Sequence, residues 1–332
     1  MHSDRRSFLK KLAAVTTGIM VSNAELQSMP GNKRDRLGEL LPLRKLGKTG
    51  EEVTMLGVGG AHIGKSDDKT AQDILEAALE GGVRFFDNAE SYNSGGAEEK
   101  YGRFLVPEYR DVAFIMTKST GKTGALAQQH LEDSLRRMRT EYVDLWQIHS
   151  LTSPEDVDSR IAEGVLDVAI KAKESGKARF IGFTGHANFR AHQHMLERTT
   201  VLETCQMPIN CFDPTYKSFI NNVLPILVER DMGILAMKTL SNGGFFGGTR
   251  HFHGGDNPKM VPDIVSLEQA IHFVWSLPVS VLITGPDHAD MMREKIALAK
   301  SFKHMSEDDR LALIERVDQA GYDGKLVEFY KV

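Results

Sequence analysis

The stretch AQDILEAALEGGVRFFD, residues 71–87, contains one helix and one strand of the fold. Its first part carries apolar residues at three- and four-residue spacing: Ala71, Ile74, Leu75, Ala78 and Leu79. This spacing predicts a helix with one apolar face. The following run from Val83 to Phe86 is short, apolar and bounded by Gly82 and Asp87, which predicts a buried strand that ends at a carboxylate.

The same pair of elements recurs along the chain. Further strands are predicted at 112–116, 143–148, 179–183, 204–209, 233–237 and 280–283, with another ending at Val58. About eight strands alternating with helices favour parallel pairing through right-handed crossovers. The predicted fold class is therefore α/β, a (β/α)8 TIM barrel, and a chain of 332 residues accommodates such a barrel of ~250 residues as its main domain.

An open doubly wound sheet is the main alternative to the barrel. Its usual dinucleotide-binding turn, G-x-G-x-x-G between a strand and a helix, does not occur in the sequence. The nearest pattern is Gly57-Val58-Gly59-Gly60, which is a weak match. The barrel is the better prediction.

We expect the barrel to span residues 41–303, with a polar linker at 25–40 before it and a helix and tail at 304–332 after it. Two apolar segments flank the turn Gly47-Lys48-Thr49-Gly50, a pattern typical of a β-hairpin. The final helix is predicted at 308–320, and the tail that follows is positioned to fold over the barrel mouth.

Residues 1–24 have the features of a twin-arginine export signal. Arg5-Arg6 precede the run Leu12–Val21, which is modestly apolar and too short to span a bilayer. Ser22-Asn23-Ala24 supplies small residues at the two positions that a signal peptidase reads, which predicts cleavage after Ala24. These features predict a partner in the twin-arginine translocation machinery, a periplasmic or otherwise exported protein, and a mature chain without a membrane span; the alternatives are an amphipathic N-terminal arm or a signal retained as an anchor.

Composition favours small-molecule chemistry. The net charge is only −4 and the charged residues are interspersed, so no basic surface for nucleic acid is expected. Cys205 and Cys211 are the only cysteines in the sequence, too few for a four-cysteine metal site, and a disulfide between them is not expected. His251 and His253 lack a third ligand at clear spacing, so no metal is predicted, and Trp146 and Trp275 are assigned to the core.

The predicted strands end at polar residues whose chemistry is complementary. Asp87 ends one strand, with Tyr92 just beyond it, while Lys118 and His149 end the next two. Each residue alone is often structural, but in a barrel all four would converge at the C-terminal ends of the strands. An ammonium from Lys118, paired with Asp87, would favour the phenolate of Tyr92 and lower its pKa from ~10. His149 would donate a hydrogen bond to a substrate oxygen.

These segments resemble the aldo-keto reductase superfamily. The resemblance rests on Phe85–Tyr92, on Glu98–Gly102, on Thr117-Lys118 and on Gln147-Ile148-His149, and it extends from about Leu43 to about Ala299. It implies that a reduced nicotinamide transfers hydride to an aldehyde or ketone, that Tyr92 protonates the carbonyl oxygen, and that the hairpin closes the barrel bottom.

The resemblance also implies cofactor-binding positions. Those near the nicotinamide are Thr184, Gly185, Gln206, Met237 and Lys238; those near the adenosine are Gly285, Asp287, Met291, Glu294 and Lys295. The chain departs from the family at Gly185-His186, where an amide is usual. Family frequency favours NADPH over NADH, whereas Asp287 and Met291 argue against binding of a 2′-phosphate, so both cofactors remain open.

His62, Phe245 and Phe246 are the expected substrate-pocket residues, and they suit an apolar or sugar-like carbonyl compound. Two other functions remain open. One is a nicotinamide-binding redox sensor or subunit with little turnover; the other is a barrel hydrolase that uses Asp87 and Glu90 as acid and base.

Overall fold

The computed structural model describes residues 33–241, 245, 248–249, 256–257, 263–321 and 327–332. The predicted export signal, Phe246 and the His251/His253 pair lie outside these residues. The strands in chain order are β1 Arg34–Asp35, β2 Gly38–Glu39, β3 Leu43–Lys45, β4 Glu52–Thr54, β5 Leu56–Gly59, β6 Phe85–Asp87, β7 Phe114–Ser119, β8 Val143–Ile148, β9 Ala178–Thr184, β10 Thr204–Pro208, β11 Gly233–Met237, β12 Gly248–Thr249, β13 Asp256–Asn257 and β14 Val281–Thr284.

Eight of these strands form a closed parallel barrel in the order β5-β6-β7-β8-β9-β10-β11-β14, and β14 pairs with β5 to complete it. The predicted (β/α)8 TIM barrel is therefore confirmed. The predicted bounds of β8 and β11 agree with the structure, whereas β7 extends past its apolar run. Its last residues, Thr117, Lys118 and Ser119, still pair with β8, so the polar strand end belongs to the sheet.

Helices follow the strands and cover the outside of the barrel. In chain order they are α1 Gly60–Lys65, α2 Asp68–Glu80, α3 Gly96–Phe104, α4 Val106–Tyr109, α5 Gly124–Met138, α6 Pro154–Ala162, α7 Val165–Glu174, α8 Phe189–Arg198, α9 Phe219–Asn222, α10 Leu224–Glu229, α11 Leu267–Trp275, α12 Ala289–Lys300 and α13 Glu307–Gln319. None of the helices in the described part of the chain is long and apolar enough to cross a membrane.

The N-terminal end of the barrel is filled by apolar side chains. Phe114 stacks on Phe85 at a centroid distance of 5.0 Å and on Phe180 at 6.4 Å. Leu46 and Val53, from the hairpin β3–β4, belong to the same buried cluster. The hairpin therefore closes the barrel bottom, as the resemblance implies, and leaves the C-terminal ends of the strands as the open face.

Residues 33–40 correct the predicted linker. They form the two-stranded sheet β1–β2, and the amide of Leu41 donates to the Gly82 carbonyl. Asp35 accepts hydrogen bonds from Arg84 at 2.6 and 2.9 Å. Because Arg84 is almost completely buried, its guanidinium needs an anionic partner, and the chain supplies that partner from this short sheet.

The last described residues lie over the open face, where the tail was expected. The amide of Val332 donates to Ala187, just after β9, and Glu328 accepts from Asn210, just after β10. Cys205 and Cys211 are both free and buried, and Trp146 and Trp275 are buried in the core as predicted.

Candidate active site

Asp87 and Lys118 form an ion pair at the ends of adjacent strands β6 and β7. The Lys118 Nζ lies 2.5 Å from Asp87 Oδ1 and donates to the Asn88 carbonyl at 2.7 Å. Lys118 is 1% exposed and Asp87 3% exposed, so solvent screens this pair little. The ammonium is fixed from one side and presents its remaining donor to the barrel mouth.

That donor reaches Tyr92. The Lys118 Nζ is 3.1 Å from the Tyr92 hydroxyl and 4.7 Å from its ring centroid. His149, which follows β8, meets the Tyr92 ring edge-on with centroids 5.9 Å apart. The four residues selected from the sequence are therefore brought together at one place.

The loop carrying Tyr92 is held by Glu90 and by an unusual backbone. The Glu90 backbone amide donates to the Lys118 carbonyl at 3.2 Å. The Glu90 side-chain Oε1 accepts from the amide of Thr120 at 2.8 Å. Just after Tyr92, Asn93 and Ser94 have φ values of 52° and 54°, in the left-handed region. These contacts join the Tyr92 loop to the end of β7 and set the distance between Tyr92 and Lys118.

Burial dominates the ionisation of the site. It raises the pKa of Asp87 and also that of Tyr92, and the charge of Lys118 opposes the rise in both cases. The expectation that Lys118 brings the pKa of Tyr92 below its ordinary value is therefore wrong. Desolvation outweighs the ammonium, so Tyr92 stays protonated at neutral pH.

Lys118 and His149 have opposite charge states. Burial acts to lower the pKa of Lys118, but the nearby Asp87 and Tyr92 leave it raised, so this residue is charged. Burial and the charge of Lys118 hold the pKa of His149 well below 6.5. His149 is therefore neutral at pH 7, and its Nδ1 has no hydrogen-bond partner among the described residues.

The residues expected near a nicotinamide lie beside this group. Thr184 and Gln206 are each 1% exposed, and the Gln206 side chain acts to lower the pKa of Asp87. The Gln206 Oε1 is buried without a partner in the described structure. A Cβ on Gly185 would lie 2.6 Å from the Leu151 carbonyl, so the departure from an amide residue there follows from close packing. Met237 is half-buried at the end of β11.

The residues expected to bind the adenosine differ in their exposure and in their contacts. Asp287 is exposed and accepts a 2.7 Å contact from His62 Nδ1, and a Cβ on Gly285 would collide with the His62 ring. His62, which follows β5, thus packs against the residues that follow the neighbouring strand β14. Glu294 is exposed and Met291 half-buried, whereas Lys295 is 2% exposed, with its Nζ 3.4 Å from the Met291 carbonyl.

Phe245 corrects the expected substrate pocket. The structure buries its side chain completely in the core, 6.4 Å from the Phe212 ring centroid, rather than along an open pocket wall. Its apolar ring gains more from this contact than from exposure at the mouth. No cluster of three metal-ligating side chains occurs among the described residues.

The hydrolase alternative finds no support in the geometry. Asp87 is paired with Lys118, and Glu90 Oε1 is engaged by Thr120 and lies 3.1 Å from His130 Nδ1. Both carboxylates therefore hold protein groups in place. The sequence did not predict that Glu90 holds the Tyr92 loop to the end of β7, because only the fold brings Thr120 to its carboxylate.

Tyr330 was also missed. Its ring meets that of His186 edge-on at 5.7 Å and lies 4.7 Å from the Lys238 Nζ. A tyrosine this near the C-terminal end of the sequence, far from the four central residues, carries no local signal, and only the burial of the tail places it here.

Comparison with known proteins gives the family. The sequence profile of the aldo/keto reductase family matches residues 55–301, which is most of the barrel. The chain belongs to the aldo/keto reductase family. Members of this family are NAD(P)-dependent oxidoreductases, and the assignment agrees with the barrel and with the four residues at its mouth.

Individual relatives are distant. An uncharacterized oxidoreductase of Bacillus subtilis, YqkF, is 23% identical and covers 84% of this chain and 97% of its own length. The L-glyceraldehyde 3-phosphate reductase of Escherichia coli K12 is 28% identical, covering 63% of this chain and 64% of that protein.

Two solved structures share the fold. The aldo-keto reductase AKR11C1 from Bacillus halodurans, in its holo form, superposes with a TM-score of 0.69 at 20% identity, covering 83% of this chain and 96% of that one. An aldo-keto reductase from Klebsiella pneumoniae in complex with NADPH has a TM-score of 0.63 at 21% identity, covering 80% and 91%.

The residues of this aldo/keto reductase fit a nicotinamide group. The orphaned Gln206 Oε1 is an acceptor suited to a carboxamide N–H, and the buried hydroxyl of Thr184 lies at the end of the neighbouring strand β9. A buried polar atom left unpaired costs about 1–3 kcal/mol, so a partner at this position would stabilise the site.

Proposed function

We propose that this protein reduces the carbonyl group of an aldehyde or ketone with NADPH or NADH, and that Tyr92 is the proton donor. The observation that carries the proposal is the position of the Lys118 Nζ, which contacts both the Asp87 carboxylate and the Tyr92 hydroxyl. The arrangement gives a protonated phenol next to a fixed cation, at the open end of a barrel.

Each residue has a role in this reaction. A reduced nicotinamide, when bound, would supply the hydride for the carbonyl carbon, and negative charge would then develop on the carbonyl oxygen. Tyr92 transfers its phenolic proton to that oxygen, and Lys118 stabilises the phenolate that remains. Neutral His149 carries one N–H, which would donate to the same oxygen. Asp87 holds Lys118 in place.

NADPH is the cofactor that we propose, with NADH as the alternative. Asp287, which would repel a 2′-phosphate, accepts a hydrogen bond from His62 Nδ1, so the carboxylate already has a partner. His288 and Arg293 are exposed nearby, and Arg293 is free to exchange its surface partner Asp290 for a phosphate. The Klebsiella pneumoniae structure with NADPH is in line with this choice.

A sugar-like aldehyde is the proposed type of substrate. The E. coli relative is an L-glyceraldehyde 3-phosphate reductase, and a 25% identical relative from Arabidopsis thaliana is an L-galactose dehydrogenase. Both names describe small hydroxylated carbonyl compounds. The polar groups of His149 and His186 at the mouth suit such a substrate.

Fluorescence titration with NADPH and NADH, followed by consumption assays on aldehydes and ketones, tests the proposed function. We expect tighter binding of NADPH and turnover of small hydroxylated aldehydes. Binding without turnover over a broad panel would favour a redox sensor or subunit. Absence of binding to either cofactor would contradict the proposal.

We also propose that the protein is exported to the periplasm by the twin-arginine pathway, since Arg5-Arg6 precede a short apolar run. This pathway moves folded proteins, so a cofactor bound in the cytoplasm would travel with the barrel. We expect Arg5→Lys/Arg6→Lys to retain the full-length chain in the cytoplasm during cell fractionation. Equal distribution of the double variant and the wild type would count against this route.

A further inference from the structure

Arg160, in helix α6, is a buried cation that the proposed mechanism does not use. It is 1% exposed, and a fully buried arginine is rare unless polar partners hold it. Its Nη1 donates to the His149 carbonyl at 2.8 Å, and its Nη2 donates to the Ser150 carbonyl at 3.1 Å. Both carbonyls belong to the segment that leaves β8, so Arg160 contacts the main chain of a site residue.

Asp156 fixes the orientation of this guanidinium. The Arg160 Nε and Nη2 donate to the two carboxylate oxygens at 3.0 and 3.1 Å, and such a two-point contact holds the planar group in one position. The carboxylate also accepts from the Thr152 amide at 3.1 Å and from Lys122 at 2.6 Å. Burial acts to raise the pKa of Asp156, but hydrogen bonds from Arg160 and Lys122 lower it to about 2. Asp156 is therefore ionised at neutral pH.

The segment that Arg160 contacts has an unusual backbone. Ser150 has a φ of 60°, in the left-handed region that a serine rarely adopts, and such a residue persists only where its surroundings hold it. On one side the His149 amide donates to the Ser119 carbonyl at 2.8 Å, and on the other the Leu151 amide donates to the Thr184 carbonyl at 2.9 Å. The guanidinium binds the two carbonyls between these amides. The segment is thus tied to β7, to β9 and to α6.

The position of the His149 imidazole follows from this backbone. The ring meets that of Tyr92 edge-on, with centroids 5.9 Å apart. A group that donates to a reacting oxygen has little positional tolerance, and a displacement of ~1 Å can cost a factor of about 10² in rate. The contacts of Arg160 with the main chain therefore bear on how well the imidazole N–H can meet the carbonyl oxygen of a substrate.

The charge of Arg160 also acts on the imidazole. Burial makes the largest contribution to the low pKa of His149. The charged and titratable groups that face the ring are Lys118, His186, Arg160, Lys238 and Tyr92. The charges of the first four disfavour the imidazolium, so loss of Arg160 would let the pKa of His149 rise towards its ordinary value.

We propose that Arg160 is a positioning residue of the active site, which holds the main chain at His149 and Ser150 so that the imidazole stays opposite Tyr92. The inference rests on the proposed function, in which His149 donates a hydrogen bond to the carbonyl oxygen. Arg160 acts on the reaction through His149.

The test compares the wild type with three variants. Arg160→Met removes the charge and all four hydrogen bonds of the guanidinium. Arg160→Lys keeps the charge but lacks the planar fork that spans the two carbonyls and the carboxylate. Lys122→Met is the matched control, because it removes the exposed cation bound to the same Asp156 and leaves the contacts with His149 and Ser150 in place.

Three properties of each variant are measured. Steady-state assays with glyceraldehyde give kcat and KM, and fluorescence titration gives the dissociation constant of the cofactor. A proton NMR titration of the histidine ring signals follows the ionisation of His149, whose signal is assigned by its absence from His149→Gln. Thermal unfolding checks that each barrel is intact.

Arg160→Met is expected to lower kcat by about 10- to 100-fold, with a change in the cofactor dissociation constant of less than about two-fold. Its His149 signal should titrate at a higher pH than in the wild type, because one of the cations that disfavour the imidazolium is gone. Arg160→Lys should keep the wild-type titration of His149 and still lose part of kcat. Lys122→Met should match the wild type in kcat and in the titration of His149.

Two outcomes with a folded Arg160→Met variant would overturn the proposal. One is a kcat within about two-fold of the wild type, since a misplaced imidazole costs more than this. The other is a loss of kcat without any change in the position or titration of the His149 signal, which would place the loss elsewhere in the barrel. If Arg160→Met does not fold, Arg160→Lys decides, and wild-type kcat together with wild-type His149 signals in that variant would refute the role.

Failure of the proposed function would be distinguishable from failure of this inference. An enzyme that binds cofactor without turnover would refute carbonyl reduction. The NMR comparison of wild type, Arg160→Met and Arg160→Lys needs no turnover, so it would still show whether Arg160 fixes the His149 imidazole.

Discussion

Tyr92→Phe is expected to lower kcat for carbonyl reduction by a factor of about 10² to 10⁴ while changing the dissociation constant of the cofactor by less than two-fold. The variant keeps the ring that His149 contacts and removes only the hydroxyl that Lys118 contacts. The alkoxide then lacks its proton donor. Steady-state assays with the preferred aldehyde and a cofactor titration measure both quantities.

Ser91→Ala is a suitable control for Tyr92→Phe, because it removes a hydroxyl from the exposed neighbouring residue. It should leave kcat unchanged. Retention of more than a tenth of wild-type kcat in Tyr92→Phe would refute Tyr92 as the proton donor, even with the family assignment intact.

Lys118→Met should lower kcat at least as much as Tyr92→Phe does, and it should also lower the free energy of unfolding. Removal of the ammonium leaves Asp87 buried without its counter-charge, and breaking a buried ion pair in this way costs about 3–5 kcal/mol. Chemical denaturation and single-turnover assays of the same preparation measure the two losses.

The double variant Asp87→Asn/Lys118→Met separates stability from catalysis. It replaces both charges with neutral groups, so much of the lost unfolding free energy should return, whereas activity should not. Recovery of activity in the double variant would show that Lys118 acts only by neutralising Asp87, and the assigned role toward Tyr92 would be wrong.

The barrel and its four central residues could be predicted because local patterns determine them. Apolar runs give the strands, and Asp87, Lys118 and His149 follow three consecutive runs. In a parallel barrel these strand ends share one face by geometry. The convergence of the side chains thus required no knowledge of longer-range contacts.

Other features depend on contacts that the sequence does not display. The pairing of Asp35 with Arg84 turns an apparent linker into a small sheet, and the burial of Phe245 removes it from the pocket. The protonation of Tyr92 depends on the balance between desolvation and the charge of Lys118, which only the packed site decides. Tyr330 reaches the mouth because the neighbouring Lys331 forms buried ion pairs with Glu328 in the tail and with Asp213 after β10.

Barrel closure brings together distant parts of the chain. The contact of His62 with Asp287 joins residues separated by 225 positions, alongside the pairing of β5 with β14. Contacts of such high sequence separation carry a large loop-closure cost and slow the folding of a domain. We therefore expect the first and last barrel strands to meet late in folding, and a ligand bound across their junction should stabilise the closed barrel by mass action.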